Sequence, residues 1–83
     1  MSARIVALTP IQLDETTDMA ALLRSLMDDS GITGAELATK VGRTRNLVSM
    51  WRVGKRAPSP ASLARIAHVF GYDLVLIPRE DTP

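Results

Sequence analysis

The chain has 83 residues, which suits one small domain and leaves little room for a second. Hydrophobic residues make up 46% and charged residues 23%, a globular balance that excludes wholesale disorder. The absence of cysteine excludes a disulfide framework, a thiolate zinc site and a cysteine nucleophile, and a single histidine, His68, cannot make a His-rich metal cluster. The net charge of +1 hides a segregation. Residues 1–30 set Arg4 and Arg24 against Asp14, Glu15, Asp18, Asp28 and Asp29, a net of −3. Residues 31–56 set Lys40, Arg43, Arg45, Arg52, Lys55 and Arg56 against Glu36 alone, a net of +5. Residues 57–83 set Arg65 and Arg79 against Asp73, Glu80 and Asp81, a net of −1. A positive field confined to 26 residues points to a surface that faces a polyanion.

With only Trp51, Phe70 and Tyr72 as aromatics, the core must be built from Leu, Ile, Val, Ala and Met. No apolar run approaches the roughly 18 residues that a membrane span needs. The N-terminal MSARIVALTP is too short, and broken too early by Pro10, for a secretory signal. The chain reads as soluble and intracellular, with no membrane partner.

The first regular segment is Arg4 to Thr9, rich in β-branched residues and stopped by Pro10, which reads as a strand. Thr16, Thr17 and Asp18 then offer N-cap candidates. Met19, Leu22, Leu23, Leu26 and Met27 follow at i, i+3, i+4, i+7 and i+8, one face of a helix that Gly31 ends. Asp28 and Asp29 near its C-terminus are expected to be solvated. Thr33 and Glu36 form a capping box for a second helix, with Ile32 and Leu37 as the hydrophobic staple; this helix is short and stops at Gly42. A third helix starts on Thr44, carries the apolar residues Leu47, Val48 and Trp51, and is closed by Gly54. Ser59 as N-cap and Pro60 at N1 open a fourth, whose buried stripe reads Leu63, Ile66, Ala67 and Phe70 before Gly71. Asp73 to Ile77 reads as a final strand, and its unbroken apolarity implies cover on both faces. The two terminal strands are expected to pair, within one chain or across a dimer.

The second and third helices are joined by Gly42 and Arg43, a tight turn that is the helix-turn-helix layout. Ala38 is small where the third helix must cross, and Val48 and Trp51 lock that helix to the core. Its exposed face runs Thr44-Arg45-Asn46 and then Ser49, Met50 and Arg52, residue types that read base edges and bind phosphates. Residues 18–77 resemble the lambda-repressor-like, Cro/C1-type (XRE) helix-turn-helix family. The string that carries the resemblance is Gly31-Ile32-Thr33, Glu36-Leu37-Ala38, Val41-Gly42, Val48-Ser49 with Trp51, Gly54-Lys55-Arg56 with Pro58-Ser59, then Leu63, Ile66-Ala67 and Phe70-Gly71. Two positions depart from the family pattern. Gly34 stands where members often carry a phosphate-binding Gln, and Arg52 stands where many carry an acidic residue.

The resemblance implies a mainly α fold: a four-to-five-helix domain over residues 16–72, an N-terminal arm or strand over 1–15, and a C-terminal strand and tail over 73–83. It implies a sequence-specific transcription regulator, repressor-like, acting as a homodimer on a palindromic DNA operator in the cytoplasm of a bacterium or a phage-infected host. Thr44, Arg45, Asn46, Ser49 and Met50 are the candidate base contacts. Arg45 suits a guanine O6 and N7, and Asn46 either an adenine or a phosphate. Ser49 and Met50 suit a base edge or a thymine methyl, although Met50 also has the option of packing on Leu47. Thr33, Arg43, Arg52, Lys55 and Arg56, with the N-terminus of the second helix, are the candidate phosphate contacts. Trp51 is read as core, and His68 as exposed. Leu47 is apolar where the third helix should be wet, and a thymine methyl, a sugar or a dimer mate would each account for it. Dimerisation is assigned to Ile5, Val6, Leu8, Phe70, Tyr72, Leu74 and Leu76. The alternative reading is an antitoxin-type module that also binds a partner protein and regulates its own operon, because an exposed strand edge recruits another strand. The sequence has no Ser–His–Asp set, phosphate loop or metal cluster, so neither enzymatic activity nor a cofactor is expected. RNA binding lacks the aromatics for base stacking.

Overall fold

A computed structural model describes residues 10–79. Four helices follow in order: α1 (Met19–Ser30), α2 (Gly34–Val41), α3 (Arg45–Arg52) and α4 (Pro60–Val69). Each start is fixed by a side-chain oxygen that accepts a first-turn N–H group, which would otherwise have no intrahelical partner. Asp18 accepts from Ala21, Thr33 from Glu36, Thr44 from Leu47 and Ser59 from Ser62, all at 3.1 Å. Glu36 completes the capping box by accepting the Thr33 backbone N–H at 2.8 Å. Ahead of α1, Asp14 accepts from the Thr16 backbone N–H at 2.8 Å and makes the turn that leads into Asp18.

The helices pack α2 on α3, α2 on α4 and α1 on α3. Their shared core is Leu23, Met27, Leu37, Ala38, Val41, Val48, Trp51 and Ile66, with Ile32, Leu47, Val69 and Phe70 packed against it. Leu37 and Val41 have no exposed surface, which makes α2 the central element. Trp51 is core, as its shared stripe with Val48 implied. Burial of these aliphatic side chains is the main favourable contribution to the fold.

The structure corrects three expectations. First, residues 73–77 form no strand. A strand exists only through the partner it pairs with, and no strand is present among the described residues. The expected partner, with Ile5, Val6 and Leu8, lies outside them. Instead of being covered on both faces, Leu74, Val75, Leu76 and Ile77 are exposed, Leu76 almost completely at 99%. Second, α4 is rotated from the expected stripe. It buries Ser62 and Ile66, while Leu63 and Ala67 are only half-buried and line an outer apolar hollow with Leu22, Leu26, Tyr72 and Leu74. Third, Leu47 packs against the core, so its apolar character needs no outside partner.

Because Leu37 is fully enclosed on α2, which packs against α3 and α4, its truncation leaves a cavity inside the core. Leu37→Ala is expected to lower the unfolding free energy by about 2–5 kcal/mol, read as a shift of the urea midpoint. A midpoint unchanged from wild type contradicts the placement of this core.

Candidate nucleic-acid interface

The turn between α2 and α3 is made by Gly42, Arg43 and Thr44. Gly42 adopts φ 70° and ψ 37°, the left-handed region. This bend lets its N–H reach the Thr39 carbonyl at 3.3 Å and the Arg43 N–H reach the Ala38 carbonyl at 3.0 Å. The chain therefore leaves one helix and is capped into the next within three residues. Any residue with a Cβ would pay about 1–2 kcal/mol for that backbone conformation. Ala38, 3% exposed, keeps the crossing close.

This crossing sets the N-terminus of α2 beside the outer face of α3. An open groove between them is lined by Thr33, Gly34, Ala35, Arg45, Asn46, Ser49 and Arg52. Arg45, Ser49 and Arg52 stand at i, i+4 and i+7, so they form one row along α3. Five of the sequence-predicted site residues thus meet in one place: Thr33, Arg45, Asn46, Ser49 and Arg52. All five are exposed. Arg43, Thr44, Lys55 and Arg56 are also exposed but lie outside the groove lining. Arg56 lines a separate hollow with Asp18 and Pro58. Met50 is half-buried and not in the groove; its carbonyl accepts the Lys55 N–H at 2.9 Å.

Gly34 and Arg52, the two departures from the family pattern, turn out to be one feature. A Cβ on Gly34 would lie 3.4 Å from Arg52 Nη1, so the guanidinium occupies the space that a longer residue at 34 would take. The cation is thereby carried to the start of α2. The first-turn N–H groups of Gly34 and Ala35 have no intrahelical acceptor there, and the helix dipole is positive.

Electrostatics favour the same face. Glu36 is the one acid in the basic segment, and its carboxylate is bound into the capping box. The backbone N–H of Thr33 first, then the Thr33 side chain and the nearby Lys40 charge, hold its pKa below the ordinary 4.5. By contrast, Arg45, Asn46, Ser49, Arg52, Lys55 and Arg56 make no side-chain hydrogen bond or ion pair among the described residues. Arg43 differs, since its Nη1 donates to the Gly42 carbonyl at 3.1 Å.

The half-burial of Met50 agrees with its expected option of packing rather than reading bases, while Ala35 was not singled out as groove lining. Reading the sequence also gave no role to Arg24 and Arg65, which bond backbone carbonyls at the ends of α3 and α2. No local pattern marks a bond to a carbonyl 28 or 24 residues away.

A family model described as helix-turn-helix matches residues 23–77, about two thirds of the chain and all of this geometry. The chain belongs to the helix-turn-helix family. It is of the Cro/C1 type, a family of DNA-binding transcription regulators that are typically not enzymes. No curated protein and no solved structure gives a significant match. Among the described residues, no helix of this helix-turn-helix protein is long and apolar enough to cross a membrane.

The capping box makes the start of α2 sensitive to acid. A carboxyl whose pKa is depressed on folding adds stability above its unfolded value, and this is lost as pH falls through the folded value. The contribution of Glu36 is therefore complete above pH 4.5 and fades below it. Glu36→Gln keeps an acceptor for the Thr33 N–H but does not titrate. Its thermal midpoint is expected to fall less steeply below pH 4.5 than that of the wild type, with the remaining decline shared by Asp14, whose pKa is also depressed. Superimposable pH profiles for the two proteins contradict the role of the carboxylate.

Proposed function

We propose that this helix-turn-helix protein is a sequence-specific, repressor-like regulator that binds a palindromic operator as a homodimer. The observation that carries the reading is the groove itself, where donors of α3 that have no side-chain partner among the described residues meet the capped start of α2. An eight-residue helix is about 12 Å long, so it lies over roughly three to four base pairs spaced 3.4 Å apart. That is too few for an address in a genome, and a two-fold partner doubles the site.

In this reading α3 enters the major groove from its N-terminal end. Arg45 pairs with a guanine through O6 and N7, and Asn46 with an adenine or an adjoining phosphate. Ser49 follows one turn later on the same row. Thr44 and Met50 flank it, and Met50 is limited to an edge contact by its half-burial. Arg52 and Thr33, with the α2 N-terminus, hold one phosphate strand; Arg43, Lys55 and Arg56 extend the hold on either side. Half-exposed Tyr72, with Leu74 and the bare Leu76, supplies apolar surface for a second copy, with Ile5, Val6 and Leu8 as further candidates. Phe70 contributes from beneath, where it packs against the core. The antitoxin reading uses the same Leu74–Ile77 segment for a different protein. Light scattering of the pure protein separates the two, since a dimer without any partner favours the first.

Titration against duplexes selected from a random-sequence pool tests the site. Arg45→Ala is expected to cost roughly 1–3 kcal/mol on the selected duplex and to relax the preference at one position. Arg56→Ala is expected to weaken selected and unselected duplexes alike and to reduce the salt slope by about one. If Arg45→Ala binds both pools as the wild type does, the assignment of α3 as the reading helix is wrong.

A further inference from the structure

Each helix of the motif ends on a carbonyl held by an arginine from a flanking helix. Arg24 of α1 donates from Nη1 to the carbonyl oxygen of Arg52, the last residue of α3. Arg65 of α4 donates from Nη1 to the carbonyl oxygen of Val41, the last residue of α2, at 3.1 Å. Arg65 Nη1 also lies 3.4 Å from the place a Cβ on Gly42 would take, so the guanidinium covers the turn. The last four carbonyls of a helix lack intrahelical partners, and a cation there also meets the negative end of the dipole.

The bookkeeping of α3 is complete only with Arg24. The Ser49 carbonyl accepts the Val53 N–H at 3.2 Å, and the Trp51 carbonyl accepts the Gly54 N–H at 3.3 Å. The Met50 carbonyl accepts the Lys55 N–H at 2.9 Å and the Arg56 N–H at 3.4 Å. These are backbone bonds within α3 and the loop that follows it. The Arg52 carbonyl is the last of the four, and its partner comes from another helix.

The mechanical situation of α3 explains why that matters. The helix has two buried anchors, Val48 and Trp51, three residues apart on one stripe, with half-buried Leu47 packed against the core beside Val48. Two anchors on one line fix the depth of a helix but resist rocking about that line poorly. Leu47 steadies the N-terminal half, and the Arg24 bond adds a hold at the C-terminal end, where no such flanking side chain among the described residues packs on the core. The turn at Gly42 couples α3 to α2, and Arg65 fixes the corresponding end of α2.

We propose that Arg24 and Arg65 are positioning residues for DNA readout. They hold the ends of α3 and α2 to α1 and α4, so that Arg45, Asn46 and Ser49 meet base edges in a single pose. The inference rests on reading the α2–α3 face as the DNA interface. Both residues are exposed, and the Arg24 bond is exposed with its residue, so solvent screens it and it adds little to global stability; the Arg65 bond to the Val41 carbonyl is part-buried and less screened. Their effect falls on orientation, and discrimination between sequences is the property most sensitive to orientation.

The test uses the full chain with Arg24→Gln, Arg65→Gln and Arg24→Lys. The first readout needs no DNA: residual dipolar couplings of backbone amides in α2 and α3 report the angle between the helices. The glutamine variants are expected to change these couplings, while the thermal midpoint of Arg24→Gln stays near wild type. The second readout is the ratio of dissociation constants for an unselected random 20-base-pair pool and for a duplex selected from it. Arg24→Gln is expected to reduce that ratio about tenfold, the scale of one charge-assisted hydrogen bond. Binding to the unselected pool and its salt slope are expected to hold. Arg24→Lys, which keeps a charged donor, is expected to restore most of the ratio. Couplings that match the wild type overturn the proposal. So does an equal loss on both pools with a flatter salt slope, which would make Arg24 a phosphate contact. If the wild type enriches no sequence at all, the DNA reading fails, and the couplings alone decide whether the arginines hold the helices.

Discussion

Gly42 bends the chain at φ 70° between α2 and α3, and the arrangement of both the core and the groove follows from that bend. On the inner side the bend brings Val48 and Trp51 down onto Leu37 and Val41, the most enclosed part of the molecule. On the outer side it sets Arg45, Asn46, Ser49 and Arg52 beside Thr33 and the start of α2. The same crossing therefore buries one stripe of α3 and displays the other. The left-handed conformation is worth about 1–2 kcal/mol against any residue with a side chain, a sizeable part of the 5–15 kcal/mol that a small domain has in total. Close approach over Ala38 is what such a bend requires.

Thr33 both caps a helix and lines the groove, but most polar groups do one or the other. Asp18, Thr33, Thr44 and Ser59 are used to start helices, and Glu36 to close the capping box. The cations of residues 43–56 are not drawn into ion pairs among the described residues. The net charge of +1 thus understates the charge of residues 31–56, because the negative charges lie mainly outside that segment. A weak overall charge gives little non-specific attraction to a polyanion. Binding then has to come from contacts made in register, which places weight on the pose of α3.

The features legible in the sequence were those governed by a few neighbouring residues. Thr33 with Glu36, Thr44 before α3 and Ser59 with Pro60 are local signals, and each opened a helix where expected. The row Arg45, Ser49, Arg52 follows from helical period alone. What failed was decided at a distance. Residues 73–77 have strand-forming side chains, but a strand needs a partner and none lies among the described residues. On α4, Leu63, Ile66, Ala67, Val69 and Phe70 are apolar on more than one side, so the pattern allows two rotations; packing against α2 chose the one that buries Ser62. The Arg52 guanidinium over Gly34, and the bonds of Arg24 and Arg65, join residues 18 to 28 positions apart and leave no trace in any window of sequence.

The central claim is that the α2–α3 groove is the face that meets DNA. Amide chemical shifts recorded while a selected duplex is added to labelled protein test it most directly. The account predicts the largest changes at Thr33, Gly34, Ala35, Arg45, Asn46, Ser49 and Arg52, with Leu22, Leu63 and Ala67 nearly still. Changes centred on the apolar hollow of α1 and α4, with the α3 row unmoved, would contradict it.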